Sequence, residues 1–473
     1  MAKKIRTRKK KFRRRPPPPR PRDGRPLLSL AMMVKDEERF LEDALASAKP
    51  VVDEMIVVDT GSTDRTVEIA RDMGATVSHF DWCDDFSAAR NATLERATGH
   101  YILVLDADER LRGPGDRAPD ADGLRSLLRP GPKHPYEGIS LEVVNTRLDG
   151  TPMNGFHSVR VFPNDRRLGY RGRVHNAFGP LVDGAPRVSA RIFAGVRVMH
   201  LGYDPDLYVE RKKAERSLPL IERTVAEEPD NRQFRFYLGR EYLLLGRLDA
   251  AIEQLTRTVR ETLRDGSGPL VEATVHLMRA MARAERPAPE MLTLLKPVLE
   301  LRPDHPDLWL AVARAFALGE QKAAAVDAGE RVLKLLDRGG KALDAQSEAA
   351  HDRSEVHGLL AGLYWDMQRF PESYRHHLAA LDGGSNGPGS ARLLHQACAL
   401  ALELGDDTRV PGLLDRLLAH PSAPLGMFFF ALDRLIERGE TAGARAMLEA
   451  ARARCARLVD DPEYGPRAAR LGL

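Results

Sequence analysis

The sequence predicts an α/β domain built on a mixed, mostly parallel sheet, followed by an all-α solenoid of helical hairpins. Over residues 27–205, short apolar runs alternate with amphipathic segments, which is typical of successive β-α units. Over residues 206–473, strand-like runs disappear and apolar residues recur at helical spacing. A chain of 473 residues also exceeds the length at which one core keeps growing. We therefore predict two domains, 27–205 and 206–473, behind a tail of residues 1–26.

The tail differs in composition from the rest of the chain. Residues 1–26 hold 13 Lys or Arg against the single acid Asp23, whereas residues 27–473 carry a net charge of −8. Basic runs around Pro16–Pro19 bury no core, so we predict a disordered tail. It could contact anionic lipid headgroups or nucleic acid through charge alone, or be a solvated extension or a misassigned start. The tail predicts no catalysis and no specific nucleic-acid partner.

Membrane and disulfide signals are absent from the sequence. No apolar run approaches the roughly 18 residues of a membrane span, and the first residues show no apolar core of a secretory signal. Cys83, Cys398 and Cys455 lie far apart, without the C-x-x-C spacing of a thiolate zinc site. We therefore expect a cytoplasmic protein without a disulfide framework.

Short apolar runs and the amphipathic segments between them define the elements of the α/β domain. Each run is too short for a helix and is read as a buried strand. Residues 110–136 are rich in Gly, Pro and Arg and predict a loop. Strands are expected at Leu28–Val34, Met55–Val58, Ala75–Phe80, Tyr101–Leu105, Gly138–Val144, Ser158–Phe162, Gly169–Val174 and Val196–His200, and helices near Glu38–Ala48, Asp64–Met73 and Ser87–Ala97.

Polar clusters follow the first, second and fourth strands, at Lys35–Glu38, Asp59–Asp64 and Asp106–Glu109. Parallel strands end at one edge of the sheet, where open α/β sheets bind ligands, so we expect these clusters to form one site. Asp106 and Asp108 are alternate residues and would point the same way. Paired carboxylates repel each other unless a cation or donors lie between them. Solvated loop acids are the alternative interpretation of a D-x-D tripeptide alone.

The second cluster could also have a structural role. Ser62 or Thr63 can cap the helix that begins near Asp64, with Gly61 allowing the turn. Asp59 ends a buried strand and needs donors, such as the imide N–H of a uracil or another ligand amide. No P-loop motif is present, and no G-x-G-x-x-G follows a strand, so both P-loop and dinucleotide sites lose support.

Three segments in succession resemble family 2 glycosyltransferases of the GT-A fold, most closely bacterial members with tetratricopeptide repeats behind the catalytic domain. They are Val57–Asp64, Asp85–Asn91 and Asp106–Glu109, and the resemblance covers about residues 27–205. It implies a nucleotide-sugar donor, whose base and ribose contact the acids after the first two strands. By this match the donor-binding residues are Asp36, Glu37, Asp59, Gly61, Ser62, Asp64, Arg90, Asn91 and Asp106.

The resemblance also implies a divalent metal, Mg²⁺ or Mn²⁺, on the donor diphosphate. Asp108 is the principal ligand by match, and Asp106 is a ribose or metal contact. His200 matches an H-x-G-Y element, where it is either a third ligand or a structural hydrogen-bonder. Carboxylate oxygens suit either ion, and a cation neutralises the charge that develops on a diphosphate leaving group. Arg90 could add charge towards phosphate, or lie on a helix surface.

The general base departs from the family pattern. Gly172–Asn176 resembles a G-R-x-H-E segment whose Glu is the natural base of an inverting transfer. Asn176 stands in its place, and an amide cannot accept the acceptor's proton. His175, Glu142 or Asp204 would then take that role, or the reaction is of another type. The predicted catalytic residues are His175 and Asp108.

Turn-like segments recur through the C-terminal region. Gly246 and Gly319 are 73 residues apart, about two units, and Gly405 and Gly439 are 34 apart, one unit, which fits tetratricopeptide hairpins. The segment Gly339–Ala350 breaks this phase. Such hairpins stack into a solenoid whose concave face binds a partner or a second copy of the chain. We predict that the solenoid presents the acceptor or forms a homodimer.

The sequence thus predicts a metal-dependent, inverting glycosyltransferase. It would move a sugar from a nucleoside-diphosphate donor, expected to be a UDP-sugar, to a peptide, protein or surface-glycan acceptor. The alternative is a repeat-based interaction protein with a catalytically silent GT-A domain, favoured by Asn176 and by Asp36, where relatives often carry Asn. The intact pair Asp106 and Asp108 argues against that alternative. A sugar nucleotidyltransferase would need a Gly-rich loop at Met33–Glu37, which is not present.

Overall fold

The computed structural model describes residues 24–128, 137–183, 188–202, 213–338, 347, 349, 353–383, 390–406, 408–420 and 425–473. Contacts within the chain divide it into two compact units, Met1–Phe234 and Arg235–Leu473. The first unit is built on a sheet and the second on helices, which confirms the predicted fold class. The predicted boundary between residues 205 and 206, and residues 1–23 of the predicted tail, lie outside the described residues and stay predictions.

Ten strands lie in the described part of the first unit. They are β1 (Leu28–Val34), β2 (Glu54–Asp59), β3 (Thr76–His79), β4 (Tyr101–Val104), β5 (Glu109–Arg112), β6 (Glu137–Thr146), β7 (Pro152–Pro163), β8 (Leu168–Arg171), β9 (Ala177–Pro180) and β10 (Ser189–His200). Eight of them form one sheet in the order β3-β2-β1-β4-β7-β6-β10-β5, and β8 pairs with β9 separately. β1 lies parallel to both β2 and β4, and β2 lies parallel to β3. β7 and β10 begin earlier than predicted, and β8 ends earlier.

Helices cover both faces of this sheet. Leu30 of β1 packs in one core with Leu41 and Leu45, whereas its neighbour Ala31 packs in the other core with Leu94. This alternation follows the period of two along a strand. Each fully buried leucine contributes roughly 1.5–3 kcal/mol through the hydrophobic effect. The helices are α1 (Leu41–Ala48), α2 (Thr66–Asp72), α3 (Phe86–Arg96), α4 (Ala121–Leu127) and α5 (Lys213–Glu227).

The prediction of a loop over residues 110–136 is wrong for its described part. That part contains most of β5, a 3₁₀ turn at Pro114–Asp116 and α4. Leu111 and Leu124 are fully buried, and β5 pairs antiparallel with β10. The Gly, Pro and Arg content hid β5, because its partner strand is distant in sequence and no local pattern marks the pairing. Residues 129–136 lie outside the described residues.

Helices follow one another through the second unit. They are α6 (Arg232–Leu244), which spans the division between the units, α7 (Leu248–Asp265), α8 (Leu270–Arg283), α9 (Ala288–Leu301), α10 (Pro306–Leu318), α11 (Lys322–Arg338), α12 (Arg353–Asp366), α13 (Phe370–Asp382), α14 (Ser390–Leu404), α15 (Val410–Ala419), α16 (Gly426–Glu437), α17 (Thr441–Arg454) and α18 (Tyr464–Arg470). None of the helices that the structure describes combines the length and apolarity needed to cross a bilayer.

A left-handed residue follows every second helix from α6 to α16, the first helix of each hairpin, and α7 also ends on one, Gly266 (76°). Such a residue turns the chain at a helix C-terminus, and glycine adopts it most easily. Most of the predicted phase break at Gly339–Ala350 lies outside the described residues. The positive φ angles occur at Gly246 (73°), Glu285 (52°), Glu320 (58°), Gln368 (57°), Gly405 (72°) and Gly439 (79°).

Candidate active site

The three polar clusters leave the sheet at one edge. Val34 pairs with Asp59 at the ends of the parallel strands β1 and β2, and β4 pairs with β1 on its other side. The segments that hold Asp36, Asp59 and Asp106 therefore follow three adjacent parallel strands. In open α/β sheets this is the edge at which ligands bind.

The loops after β1 and β2 are joined by side chains that the sequence assigns to the nucleotide. The N–H of Asp36 donates to Ser62 Oγ (2.9 Å), and Asp36 Oδ1 accepts from the N–H of Thr63 (2.8 Å). The N–H of Glu37 donates to Thr66 Oγ1 (2.7 Å). Asp36 itself has a left-handed φ of 52°, a conformation that Asp adopts more readily than most residues. These bonds fix the shape of both loops.

The expected cap of α2 is wrong. Ser62 and Thr63 bond to the loop after β1, and Arg65 at the N-cap makes no side-chain cap bond. The carboxylate of Asp64 instead accepts from the N–H of Thr66 at 2.9 Å. Asp64 therefore satisfies one of the open donors at the start of the helix.

Asp59 is buried at the end of β2 and is surrounded by donors. It accepts from the N–H groups of Gly61 and Ser62 (both 3.1 Å), and His79 Nδ1 lies 3.4 Å from Oδ2. Gly61 has a φ of 104°, which requires glycine. Burial acts to raise the pKa of Asp59, but these donors hold it below its usual value. His79 was not predicted; it lies opposite Asp59 because β3 pairs with β2.

Arg90 pairs with the first acid of the D-x-D segment. Arg90 Nη2 donates to both oxygens of Asp106, at 2.7 and 3.0 Å. Burial opposes ionisation of Asp106, yet the guanidinium groups of Arg90 and Arg160 hold its pKa below the usual value. The Arg90 side chain also lies over the ring of Tyr170, with its guanidinium carbon 5.5 Å from the ring centroid. Asp106 is therefore an arginine-paired anion.

Asp108 faces His200. Their Oδ1 and Nε2 atoms are 3.6 Å apart, and both side chains are largely buried. His200 Nδ1 lies 2.9 Å from Asn145 Oδ1, which can only accept a hydrogen bond. In the tautomer that donates from Nδ1 to Asn145, Nε2 of His200 faces Asp108 and is available to a metal ion. This orientation by a neighbouring oxygen is typical of metal-binding histidines.

The predicted metal ligands divide into two groups. Among the described residues, no group of three or more His, Cys, Asp or Glu side chains is arranged to hold a metal ion. Asp106 pairs with Arg90, whereas Asp108 and His200 converge. Two protein ligands suit an ion that takes its remaining ligands from phosphate oxygens and water. The residues therefore fit a substrate-bound Mg²⁺ or Mn²⁺, which stays a prediction.

Glu109 belongs to the third polar cluster, but no role of its own was predicted for it. It is 1% exposed, and Arg160 of β7 binds it with two hydrogen bonds, Nη2 to Oε1 (2.6 Å) and Nη1 to Oε2 (3.1 Å). Burial raises the pKa of Glu109 to about 7, although Arg160 opposes that shift. The only sequence signal for this pair was the acid that directly follows the D-x-D segment.

Two asparagines from the predicted site bond to the backbone. The amide of Asn91 donates to the carbonyl of Tyr170 (2.9 Å) and accepts from its N–H (2.8 Å), which holds β8 against α3. Asn176 Nδ2 donates to Ser87 Oγ (2.7 Å) and to the carbonyl of Gly172 (2.8 Å). A carboxylate could not donate these bonds. Asn176 therefore fits a loop-forming role and not proton transfer.

The remaining candidates for the base differ in their surroundings. His175 lies between β8 and β9, partly buried and with a φ of 51°. Its loop packs against the start of α3, because the N–H of Phe86 donates to the carbonyl of Arg173 (2.8 Å). Glu142 is paired with Arg197 Nε at 2.7 Å. Asp204 lies outside the described residues.

Two known families match parts of the chain. The family described as Glycosyl transferase family 2 matches residues 29–113, and a Tetratricopeptide repeat matches residues 206–265. The first match runs from β1 through β5 and includes Asp59 and Asp108. The chain carries a family 2 glycosyltransferase domain followed by tetratricopeptide repeats. The match to the glycosyltransferase domain ends before Arg160 and His200.

Two relatives and one solved structure are similar to parts of this chain. A TPR repeat-containing protein of Synechococcus elongatus is 34% identical over 263 residues, 55% of this chain and 62% of that protein. The SPbeta prophage-derived glycosyltransferase SunS of Bacillus subtilis is 28% identical over 238 residues, 50% of this chain and 53% of that protein. The chain thus spans less than two thirds of either relative. A crystal structure of a thermophilic TPR protein of Thermus thermophilus is 22% identical, with a TM-score of 0.31 over 42% of this chain and 94% of that chain.

Proposed function

We propose that this glycosyltransferase-family protein transfers a sugar from a nucleoside-diphosphate donor to a peptide, protein or surface-glycan acceptor, with Mg²⁺ or Mn²⁺. The observation that carries the proposal is the approach of Asp108 and His200, 3.6 Å apart, in the domain whose sheet edge also holds the anionic Asp59. One part of that edge offers acceptors to a nucleobase, and the other offers ligands to a diphosphate-bound cation.

Asp59 and the two joined loops would bind the nucleoside. Asp59 is ionised and keeps acceptor capacity beyond its bonds to Gly61 and Ser62, since a carboxylate has about four lone-pair sites. An imide N–H is a matching donor, so we propose a uridine donor. Asp36 and Glu37 would shape the ribose side of the pocket.

Asp108 and His200 would hold the metal. Such an ion neutralises charge on a diphosphate leaving group. Arg90 neutralises Asp106, so Asp106 would contact the ribose or stabilise its neighbours and would not serve as a main ligand. Of these two acids, only Asp108 would then be a ligand of the cation.

His175 would be the proton acceptor for the attacking group. Asn176 donates its amide hydrogens to the backbone, and Glu142 is paired with Arg197. Imidazole is the side chain that most often serves as a general base. Removing such a base lowers turnover by roughly 100- to 10 000-fold. The helical repeats would present the acceptor or form a homodimer, and the basic tail would add a peripheral contact with anionic membranes.

The test is turnover of a panel of nucleoside-diphosphate sugars with Mn²⁺ or Mg²⁺ by the full chain. We expect metal-dependent hydrolysis of one donor, a UDP-sugar, and its loss in Asp108→Asn. Asp122→Asn is the matched control, because Asp122 is an exposed acid on α4 of the same domain. Turnover that survives in Asp108→Asn would contradict the assignment of Asp108. An equal loss of turnover in Asp122→Asn would also contradict it.

A repeat-based scaffold with a silent domain is the second candidate, favoured by the loop-forming role of Asn176. It predicts that no donor of the panel binds with either metal. In that case the repeats would carry the function, and capture of a partner would be unaffected by Asp108→Asn.

A further inference from the structure

The turn that carries the D-x-D segment is closed from two sides by one residue, Glu109. The N–H of Glu109 donates to the carbonyl of Asp106 (3.0 Å), which forms the turn. The N–H of Asp106 in return donates to Glu109 Oε2 (2.8 Å). Both backbone groups of Asp106 therefore depend on Glu109. Asp108 lies within this turn and moves with it.

Arg160 ties Glu109 to the neighbouring strand β7. Its two terminal nitrogens bind the two carboxylate oxygens, at 2.6 and 3.1 Å, and its side chain is 13% exposed. Within the described part of the chain, the buried Arg160 Nε has no hydrogen-bond partner. A two-pronged pair fixes direction as well as distance, which a single bond does not. The carboxylate that closes the turn is thus held in one orientation.

The other end of the turn is held by the chain after β10. The N–H of Leu201 donates to the carbonyl of Asp108 (3.1 Å), next to His200. His200 also lies opposite Glu109 in the pairing of β5 with β10. The turn is therefore held on one side by the Arg160 side chain of β7 and on the other by the backbone N–H of Leu201, next to His200.

We propose that the Glu109–Arg160 pair positions the metal-binding half of the donor site, by holding the turn so that Asp108 stays opposite His200. Neither residue is a ligand in this arrangement; both act through Asp108. The inference rests on the proposed function, because it concerns the same metal. It assigns a role to Glu109, which the predicted site residues do not include, and adds Arg160, which lies beyond the family match.

A purely structural role makes a different prediction, which allows a test. Removing one member of a buried ion pair leaves the other charge unpaired and strongly destabilises the fold, whereas removing both relieves that cost. A positioning role is not restored in the same way, because the carboxylate orientation is lost in either case. The variants are Glu109→Gln, Arg160→Gln and the double variant E109Q/R160Q. The matched control is the double variant E137Q/R191Q, which removes an exposed Arg–Glu pair between β6 and β10 of the same sheet, with atoms 3.0 Å apart.

The measurements are the thermal unfolding midpoint, the affinity for Mn²⁺ in the presence of UDP, and the affinity for UMP without metal. Inorganic pyrophosphate replaces UDP as a second probe that needs no base contact. We expect both single variants to unfold earlier and the double variant to regain most of the midpoint. The Mn²⁺ affinity should stay roughly 10- to 100-fold weaker in all three, as for residues that orient metal ligands, while UMP affinity is unchanged.

Two outcomes overturn the inference, and they differ. If E109Q/R160Q binds Mn²⁺ as tightly as the wild type and the E137Q/R191Q control, the pair is structural only and the proposed function stands. If the wild type binds Mn²⁺ with neither UDP nor pyrophosphate, the proposed donor site is wrong and the positioning role falls with it.

Discussion

Charged side chains are used differently in the two units of this protein. In the sheet unit, the pairs Arg160–Glu109 and His200–Asp108 join residues 51 and 92 positions apart. In the helical unit, many pairs are local, such as Arg257–Glu261 within one helix. The sheet thus gathers distant residues at one edge, whereas each hairpin of the solenoid is stabilised by itself and its neighbours. A destabilising substitution should therefore lower the stability of the whole sheet, whereas in the solenoid it should destabilise only the neighbouring helices.

Two matched core truncations test this contrast, and they should have the largest effect. Phe162, 1% exposed, stacks on Phe178 at 3.8 Å between ring centroids, and Phe428 is fully buried among the last hairpins. Phe162→Ala and Phe428→Ala should each cost about 3–5 kcal/mol of the unfolding free energy. Hydrogen exchange should show lost protection in all central strands for the first variant. The second should expose α14 to α17 and leave α7 to α10 protected.

Equal loss of protection along the whole solenoid in Phe428→Ala would contradict the contrast. So would a loss in Phe162→Ala that is confined to β7 and its immediate neighbours.

A smaller effect is expected from Asn91→Ala. The variant leaves the N–H and carbonyl of Tyr170 without their partner, which should cost roughly 1–3 kcal/mol of the unfolding free energy. Glu95→Ala, an exposed change further along α3, should stay within about 0.5 kcal/mol. Denaturant unfolding monitored by tryptophan fluorescence measures both. An unchanged midpoint in Asn91→Ala would show that these bonds are not needed and would return Asn91 to the predicted donor contacts.

The helical unit should lose stability in mild acid. His357 Nδ1 and His376 Nδ1 are 2.8 Å apart, so one proton serves both nitrogens, and His376 Nε2 contacts Glu330 (3.2 Å). Burial lowers the pKa of His376 to about 4 and also lowers the pKa of His357. The folded state therefore favours neutral imidazoles, and the unfolded chain binds more protons below pH 6.5. The unfolding midpoint followed by far-UV circular dichroism should fall as the pH drops from about 6.5 to 4.

This fall should be shallower in the double variant H357N/H376Q, which has no imidazole to protonate at that place. An identical slope in the variant and the wild type would exclude the histidine pair as its cause. Arg375 and Arg353 also act against protonation of these histidines, so neutralising either arginine should raise the histidine pKa in the folded state and make the fall smaller.

The smallest effect concerns the hairpin turns. Glu320 is exposed and left-handed at the place where three other hairpins have glycine, at Gly246, Gly405 and Gly439. Glu320→Gly should raise the unfolding free energy by up to about 1 kcal/mol, and Gly246→Ala should lower it by a similar amount. For a domain of this size, 1 kcal/mol corresponds to about 2–4 °C in the unfolding midpoint. A lower midpoint for Glu320→Gly would mean that its side chain has a role the turn geometry does not reveal.

Local patterns were sufficient to predict much of the fold. β1 to β4 were predicted to within one or two residues, and β1, β2 and β4 are compact apolar runs with a polar end. The same rule found Asp59 and Asp108, which are the acids at those ends. β5 and α4 were missed. Three of the four residues of β5 are charged, so Glu109–Arg112 is not an apolar run, and the strand is stabilised by its pairing with β10.

The partners of the site residues could not be predicted. Whether Arg90 meets Asp106 or a ligand depends on how α3 packs on the sheet, which no spacing in the sequence encodes. The approach of His200 to Asp108 depends on strand register, because β10 returns next to β5 after a long excursion. The replacement of Glu by Asn at position 176 was visible in the sequence, but its reason, the amide bonds to Ser87 and Gly172, was not.

The long separation of these contacts has a consequence for folding order. The bond between Asp36 and Ser62 closes a loop of 26 residues, whereas Ser87 and Gly172 are 85 apart. Closing the longer loop costs roughly 1 kcal/mol more, and contacts of high sequence separation form late. During synthesis, the loops after β1 and β2 can therefore assemble while the chain is still short. The half that would hold the proposed metal must wait until the ribosome has released His200, so a stalled chain would carry the joined loops of the proposed nucleoside site without the proposed metal ligands.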